Sequence, residues 1–369
     1  MRNVGHFEQI GDLRFFIPNP LPPKDPPLAL AGDVAILYGE AMIELGRLNE
    51  VANALPDAER FIKAYVIKEA LLSSSIEGIH TTMLDVFTQP ITQSKPSKDT
   101  QLVLNYTKAL NKALSMVQKD NLPIVSRVFL GAHEALMQVG EGEKYDPGHY
   151  RKQSVKIGKI IPAPATQVPS LMSELERFIN TDTSLPPLIK AGLAHVQFET
   201  IHPFLDGNGR IGRLLIILML VESGLLASPI LYPSYFFKKN HYEYYQRLEN
   251  AQLRGDFEGW ITFYLTGIRD SCVDAYRRAK EIEELAAALS SKISTLKASD
   301  SRLRALEILF ACPVIDINEL SKQLEMSYNT ANQIVADFIK QGFLVEETQQ
   351  KRGKLFRFKS YIDILEKEY

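Results

Sequence analysis

Cysteine is nearly absent from this chain of 369 residues: only Cys272 and Cys312 occur, without the paired spacing of a metal site. A disulfide framework is therefore not expected, and a reducing, cytoplasmic setting fits. Charge of one sign is missing too. The 42 Lys and Arg are matched by 44 Asp and Glu, a net charge of −2. The chain as a whole has no electrostatic pull towards nucleic acid or an anionic membrane. Long apolar runs are also lacking. The longest, Leu214–Val221, falls well short of the roughly 20 residues that cross a bilayer, so no membrane span is expected. Residues 1–10 carry Glu8 and lack the apolar centre of a secretory signal. What remains is an ordinary globular composition, 45% hydrophobic and 23% charged, with length for about two or three domains.

The chemistry is concentrated in His202-Pro203-Phe204-Leu205-Asp206-Gly207-Asn208-Gly209-Arg210-Ile211-Gly212-Arg213, which leads straight into that apolar run. A glycine-bearing turn entering a buried helix makes an anion site. First-turn N–H groups have no helical acceptor, the helix dipole adds positive charge, and glycines let the backbone approach a phosphate. Arg210 and Arg213 are three apart, share a helix face and can clamp one polyphosphate. His202 stands before the turn, where it can take a proton from an incoming hydroxyl. Asp206 is a hard oxygen ligand suited to hold Mg²⁺ against phosphates. The bland alternative, a surface turn with an incidental histidine, needs neither His202 nor both arginines. Upstream, Ser73-Ser74-Ser75-Ile76-Glu77-Gly78 closes a helical pattern. Ser73 and Glu77 are four apart and share a face, and Gly78 is a natural stop. Taken alone, this is a serine-rich helix end with a solvated glutamate.

The chain is expected to be mainly α. Residues 1–27, with prolines at 18, 20, 22, 23, 26 and 27, form an irregular arm. Residues 28–100 form an N-terminal helical region, in which Asp57 caps the helix leading to Ser73. Residues 101–256 make the core, including a helix with Ser126 as its cap. Within it Val155-Lys156-Ile157 and Ile160-Ile161 form a small hairpin turned at Gly158-Lys159. His195, near apolar neighbours, is a packed core or supporting histidine. Residues 257–299 are connecting helix. Residues 300–369 are a separate module with three helices and two short strands around Lys351-Arg352-Gly353-Lys354, similar to a winged helix. Such modules often bind DNA through the third helix. Residues 301–369, however, hold ten Lys or Arg and ten Asp or Glu, and the third helix offers only Lys340. Docking or dimerisation is ranked ahead of DNA binding, which rests on neutralising phosphates.

The His202–Arg213 segment resembles the signature of the Fic family, His-Pro-Phe-x-Asp/Glu-Gly-Asn-Gly-Arg-x-x-Arg, and matches every defined position. Ser73, Glu77 and Gly78 match the family's inhibitory motif, Ser/Thr-x-x-x-Glu-Gly/Asn, which in one class lies N-terminal to the catalytic core. The resemblance implies a Fic helical core that transfers AMP from ATP to a Ser, Thr or Tyr hydroxyl of a target protein, with self-modification as well. It makes His202 the catalytic base and Asp206 the Mg²⁺ ligand. Gly207, Asn208, Gly209, Arg210, Ile211, Gly212 and Arg213 bind the phosphates, and Glu77 pairs with Arg213 to inhibit. The hairpin, with Ile157, Gly158, Lys159 and Ile160, resembles the family's flap, which lines the nucleotide site and receives the target by strand addition. Tyr244 and Tyr245 resemble the adenine and ribose contacts. A polar residue follows them, Gln252 by helix register, with Asn250 competing because the spacing departs from the common one by about one residue. Removal of AMP by the same site, with Glu77 orienting water, and DNA-binding regulation through the C-terminal module are the alternatives.

Overall fold

Apolar side chains recurring three and four apart drive most of the chain into helices that bury one face. The structure, a computed structural model, describes residues 2–54, 58–92, 94–138, 140–295, 299–348 and 353–367. The Asp57 cap and the Lys351-Arg352 part of the wing turn lie outside them. The chain runs β1 (Gly5–Ile10), β2 (Leu13–Pro18), α1 (Asp33–Ala54), α2 (Ala58–Ile76), α3 (Met83–Thr92), α4 (Lys98–Gln118), α5 (Ser126–Met137) and β3 (Ile161–Pro162). It continues with α6 (Val168–Thr181), α7 (Pro187–Ile201), α8 (Asn208–Glu222), α9 (Ser234–Lys239), α10 (His241–Arg254) and α11 (Phe257–Ser294).

The central pair is α7 and α8. From Ala191 to Ile201 and from Arg210 to Val221 every residue is buried, as expected of helices apolar on most sides. α11 packs on α7 through Trp260, whose Nε1–H donates to the Gly192 carbonyl at 2.8 Å. A Cβ on Gly192 would come within 2.7 Å of the Tyr264 ring, so glycine is what lets the two helices close. α1 lies along α11, and α4 packs between α5 and α2.

Several expectations are corrected. The N-terminal arm is not irregular. β1 and β2 form an antiparallel hairpin, and β2 pairs in parallel with β3, Phe15 opposite Ile161. The prolines begin only at Pro18; before them Phe15, Phe16 and Ile17 are buried, and Gly11, at φ 59°, allows the turn. Ser126 is the first residue of α5 rather than its cap; its N–H donates to Glu176 at 2.8 Å. α11 is more than a connector, since Trp260, Tyr264, Ile268 and Ala275 are fully buried in the core.

The C-terminal part has α12 (Ser299–Ala311), β4 (Val314–Ile315), α13 (Ile317–Leu324), α14 (Tyr328–Lys340), β5 (Val345–Glu346), β6 (Phe356–Arg357) and α15 (Lys359–Glu366). The expected three helices and two strands are joined by a third strand and a last helix, with sheet order β4-β6-β5. α15 ends against the body. Lys68 of α2 donates to the Leu365 carbonyl at 2.5 Å, and Arg278 of α11 donates to the carbonyls of Ile364 at 2.5 Å, Leu365 and Lys367. Cations capping a helix C-terminus satisfy carbonyls that have no helical donor.

Candidate active site

The signature occupies the turn between α7 and α8. His202 ends α7 in the left-handed region, at φ 50°, and its N–H still donates to the Phe198 carbonyl. Gly207, at φ 80°, precedes α8. Asn208 stitches the turn: its Oδ1 accepts from Phe204 N–H and its Nδ2 donates to the Phe204 carbonyl, both at 2.9 Å. It is buried, so its side chain holds the loop's shape while its N–H opens the helix. Phe204 is fully buried, with the His133 ring stacked on it at 3.8 Å and 5°. His133 Nε2–H donates to the Asp206 carbonyl at 3.1 Å, and its Nδ1 accepts from Gly148 N–H. Burial lowers its pKa to about 4, so the ring stays neutral.

Arg210 is 3% exposed, yet its Nε and Nη1 have no partner among the described residues. Only Nη2 has company, 3.6 Å from Asp206 Oδ2. Buried donors left unmade cost free energy, and an anion in the turn would satisfy them. Asp206 accepts Gly207 N–H through Oδ1 at 2.7 Å and leaves its carboxylate half-exposed at the mouth. No cluster of three or more metal-type side chains exists among the described residues. A cation here would have Asp206 as its protein ligand and complete its shell with phosphate and water oxygens, which suits Mg²⁺.

Glu77, just beyond α2, reaches into this turn from 136 residues away: Arg213 Nη2–H donates to its Oε1 at 2.7 Å. Arg213 also donates to Ser73 Oγ at 2.8 Å and to the Ser73 carbonyl at 2.9 Å. Burial alone would lower the Arg213 pKa, but Glu77 outweighs it and keeps the guanidinium charged. Burial likewise pushes the Glu77 carboxyl up, and Arg213 more than reverses this, holding it below its ordinary value. A Cβ on Gly209 would lie 2.3 Å from Glu77 Oε1, so the glutamate sits directly over the first turn of α8. The open space left beside Glu77, His202 and Leu205–Arg210 is about 100 Å³, against the roughly 300–1,000 Å³ of ordinary ligand pockets.

His202 Nδ1 lies 3.3 Å from the Glu199 carbonyl, which can only accept. Nδ1 therefore carries the proton and Nε2 keeps its lone pair. Burial lowers this ring's pKa to about 4. The flap is a two-residue turn at Gly158-Lys159, closed by N–H···O bonds of 2.9 Å in both directions between Ile157 and Ile160. Its second arm continues into β3, whose partner is β2, and Lys159 is tied to Glu249 of α10 at 2.6 Å. Tyr244 is fully buried, its hydroxyl 2.9 Å from His195 Nε2. Tyr245 is exposed with its ring against His241, and Gln252 is buried on α10. Ser73, Glu77 and the signature thus meet, while Tyr244 touches them through the core. Gly78, at φ 77°, ends the α2 segment in open space.

Besides His133, two residues have no assigned role from sequence. Arg151, 2% exposed, donates from Nε to the His202 carbonyl at 2.8 Å and from Nη2 to the Ala163 carbonyl at 2.6 Å, joining the flap base to the signature. Its turn is visible in Pro147-Gly148-His149-Tyr150, but no spacing marks the arginine. Glu199 is the other. It stands four after His195 and three before His202 on α7, a spacing that does carry a signal.

The Fic/DOC family N-terminal profile matches residues 36–115, and the Fic/DOC family profile matches residues 123–220. A curated protein named protein adenylyltransferase Fic, from Drosophila mojavensis, is 27% identical over 238 residues, 63% of this chain and 45% of that protein. Its namesake from Drosophila erecta is 30% identical over 213 residues, 55% of this chain and 40% of that protein. The chain therefore spans less than half the length of these curated relatives. Among solved structures, a Fic family protein from Desulfovibrio desulfuricans G20 has a TM-score of 0.57 at 23% identity, covering 90% of this chain and 98% of that one. Fic-1 (residues 134–508) from C. elegans has a TM-score of 0.53 at 19% identity, covering 67% of this chain and 74% of that one. At these identities the two structures speak to the fold alone. With the signature turn, the helical core around it and both family profiles in agreement, the chain carries a Fic/DOC family N-terminal domain and a Fic/DOC family domain.

Proposed function

We propose that the protein is a protein adenylyltransferase held off at rest by its own Glu77. The observation that carries this is the Glu77–Arg213 pair of 2.7 Å set over an anion turn whose Arg210 donors are unmade. The names of the curated relatives support the reaction class. ATP would lay its phosphates on the N–H groups opening α8, with Arg210 and Arg213 on the β and γ groups. His202 Nε2 would take the proton of a Ser, Thr or Tyr hydroxyl as that oxygen bonds to the α-phosphorus. The bond to the bridging oxygen breaks and pyrophosphate leaves with its electrons. Positioning and charge stabilisation supply most of the rate, and the base about 10²–10⁴-fold. Mg²⁺ at Asp206 would supply charge neutralisation on the phosphates when bound. A target segment would lie along the 155–158 arm of the flap, because the other arm is already paired with β2.

Glu77 inhibits by occupation. While it holds Arg213 the guanidinium is denied to the γ-phosphate, so bound ATP would not take the pose that aligns its α-phosphate for attack. The C-terminal module is read as a docking or dimerisation element in a cytoplasmic protein. The exposed side chains of α14 include one cation, Lys340, among the described residues, which does not favour DNA.

The test is incubation with ATP labelled at the α-phosphate. Wild type should label itself weakly. Glu77→Gly should label about 5–150-fold more strongly, the range of a typical coupling free energy, and His202→Ala should not label at all. Label surviving in His202→Ala would sink the mechanism. Equal label in wild type and Glu77→Gly would remove the inhibitory role, and release of AMP from a labelled target would favour the reverse reaction.

A further inference from the structure

His202 poses a difficulty for the reaction proposed above. A general base works best with a pKa near the working pH, and burial has taken this ring down to about 4. Glu199 lies beside it. Its Oε2 is 4.0 Å from His202 Nδ1, on the side of the ring away from the reacting Nε2. Its Oε1 is buried and without a hydrogen-bond partner among the described residues. Glycine opposite it leaves this carboxyl its place: a Cβ on Gly212 would come within 2.4 Å of Oε1, and the carboxyl would have to swing away. A buried carboxyl with an unmade oxygen behind the base costs free energy that no hydrogen bond to Oε1 offsets among the described residues.

We infer that Glu199 is a positioning residue for His202, whose carboxylate form steers the Nδ1–H and supports the charged ring formed when Nε2 takes the hydroxyl proton. No proton passes to Glu199; it acts as an anion throughout the step. The groups around it explain why it is withheld at rest. On α7 it is flanked by His195 and His202. Arg213, with Arg210 behind it, faces it from α8, Glu77 from beyond α2, and Tyr244 and Tyr245 from α10; Arg151 lies across His202. Burial raises the Glu199 pKa to about 8, with Arg213 lowering it and Glu77 raising it. The carboxyl is therefore largely neutral at pH 7. Removing Glu77 removes one of the two causes that keep it so.

The inference rests on the adenylyl-transfer reading, and the test separates the two. In a Glu77→Gly protein, kcat should rise about tenfold between pH 6 and pH 9 as Glu199 ionises, the effect of one pKa unit of interaction with His202. Adding Glu199→Gln should flatten that rise at its low-pH level and leave KM for ATP within about twofold. Adding Glu199→Asp should keep a rise, of smaller size. NMR of the His202 ring should show its signals shifting as Glu199 ionises near pH 8, a step the Gln variant should lack, with no turnover needed. A rise that persists unchanged in Glu199→Gln, or a change in KM instead of kcat, would overturn the inference. An inactive Glu77→Gly protein would overturn the reaction itself. If Glu199→Gln fails to fold, the Asp variant decides by the same profile: an undiminished rise counts against the role.

Discussion

Arg213 is the residue on which the molecule's two motifs converge. It is 1% exposed and spends its donors on Ser73 and Glu77. Three histidines at or behind the signature turn are shielded from water. His133, His195 and His202 have pKa values lowered by burial to about 4, 3 and 4. Below about 6.5 the unfolded chain takes protons on these rings that the folded chain refuses, so falling pH favours unfolding. Glu69 and Glu199, raised by burial to about 7 and 8, act in the opposite sense. They keep protons in the fold that the unfolded chain loses above about 4.5, so their share of stability declines as pH rises through that window. Replacing His202 by Gln should therefore make the acid limb of stability shallower by about 1.4 kcal/mol per pH unit between pH 6 and 5. Urea unfolding of both proteins across that range checks the slope; parallel curves would show that His202 titrates normally. At this scale the sequence is legible where chemistry is compressed into one segment. His202, Asp206, Arg210 and Arg213 are marked by spacing. Arg151 and His133 are not, because they work through carbonyls, which every residue carries.

Among the elements, the α7–α8 crossing sets the site's precision. Gly212 faces both His195 and Glu199, and a Cβ there would displace the Glu199 carboxyl and crowd the His195 ring. Gly212→Ala should cost about 1–3 kcal/mol through overpacking, seen as a lower Tm. It should also lower AMP transfer in a Glu77→Gly background, since relief comes from turning the Glu199 carboxyl away from His202 or from shifting α7, which ends there. An unchanged Tm would mean that the two helices separate without cost. The helices themselves are readable from their periodicity, as is the flap turn. The β1–β2 hairpin is not. The prolines after residue 17 dominate the composition of the N-terminal stretch, and the parallel pairing of Phe15 with Ile161 is a long-range contact that local pattern does not encode.

Across the whole molecule, α2 has two duties. One end of it presents Ser73 and leads to Glu77, while Lys68, one turn earlier, caps α15. Burial lowers the Lys68 pKa to about 7, and Arg278 beside it adds to the effect. Lys68→Met should leave the α15 carbonyls short of a donor at a cost of about 1–3 kcal/mol. Limited proteolysis should then cut the C-terminal module loose sooner than in wild type. Equal cleavage would mean that Arg278 alone secures it. This joint was unreadable in the sequence, because Lys68 looks like one polar position on an amphipathic helix, and only packing reveals what it meets. The Glu77–Arg213 bond has a consequence in the other direction. Linkage is reciprocal, so a phosphate that takes Arg213 must weaken the seating of the end of α2 by the same free energy that Glu77 withholds from the phosphate. Amide hydrogen exchange along Ser73–Gly78 would then report whether a bound nucleotide has reached its productive pose, even when no target is present and nothing is transferred.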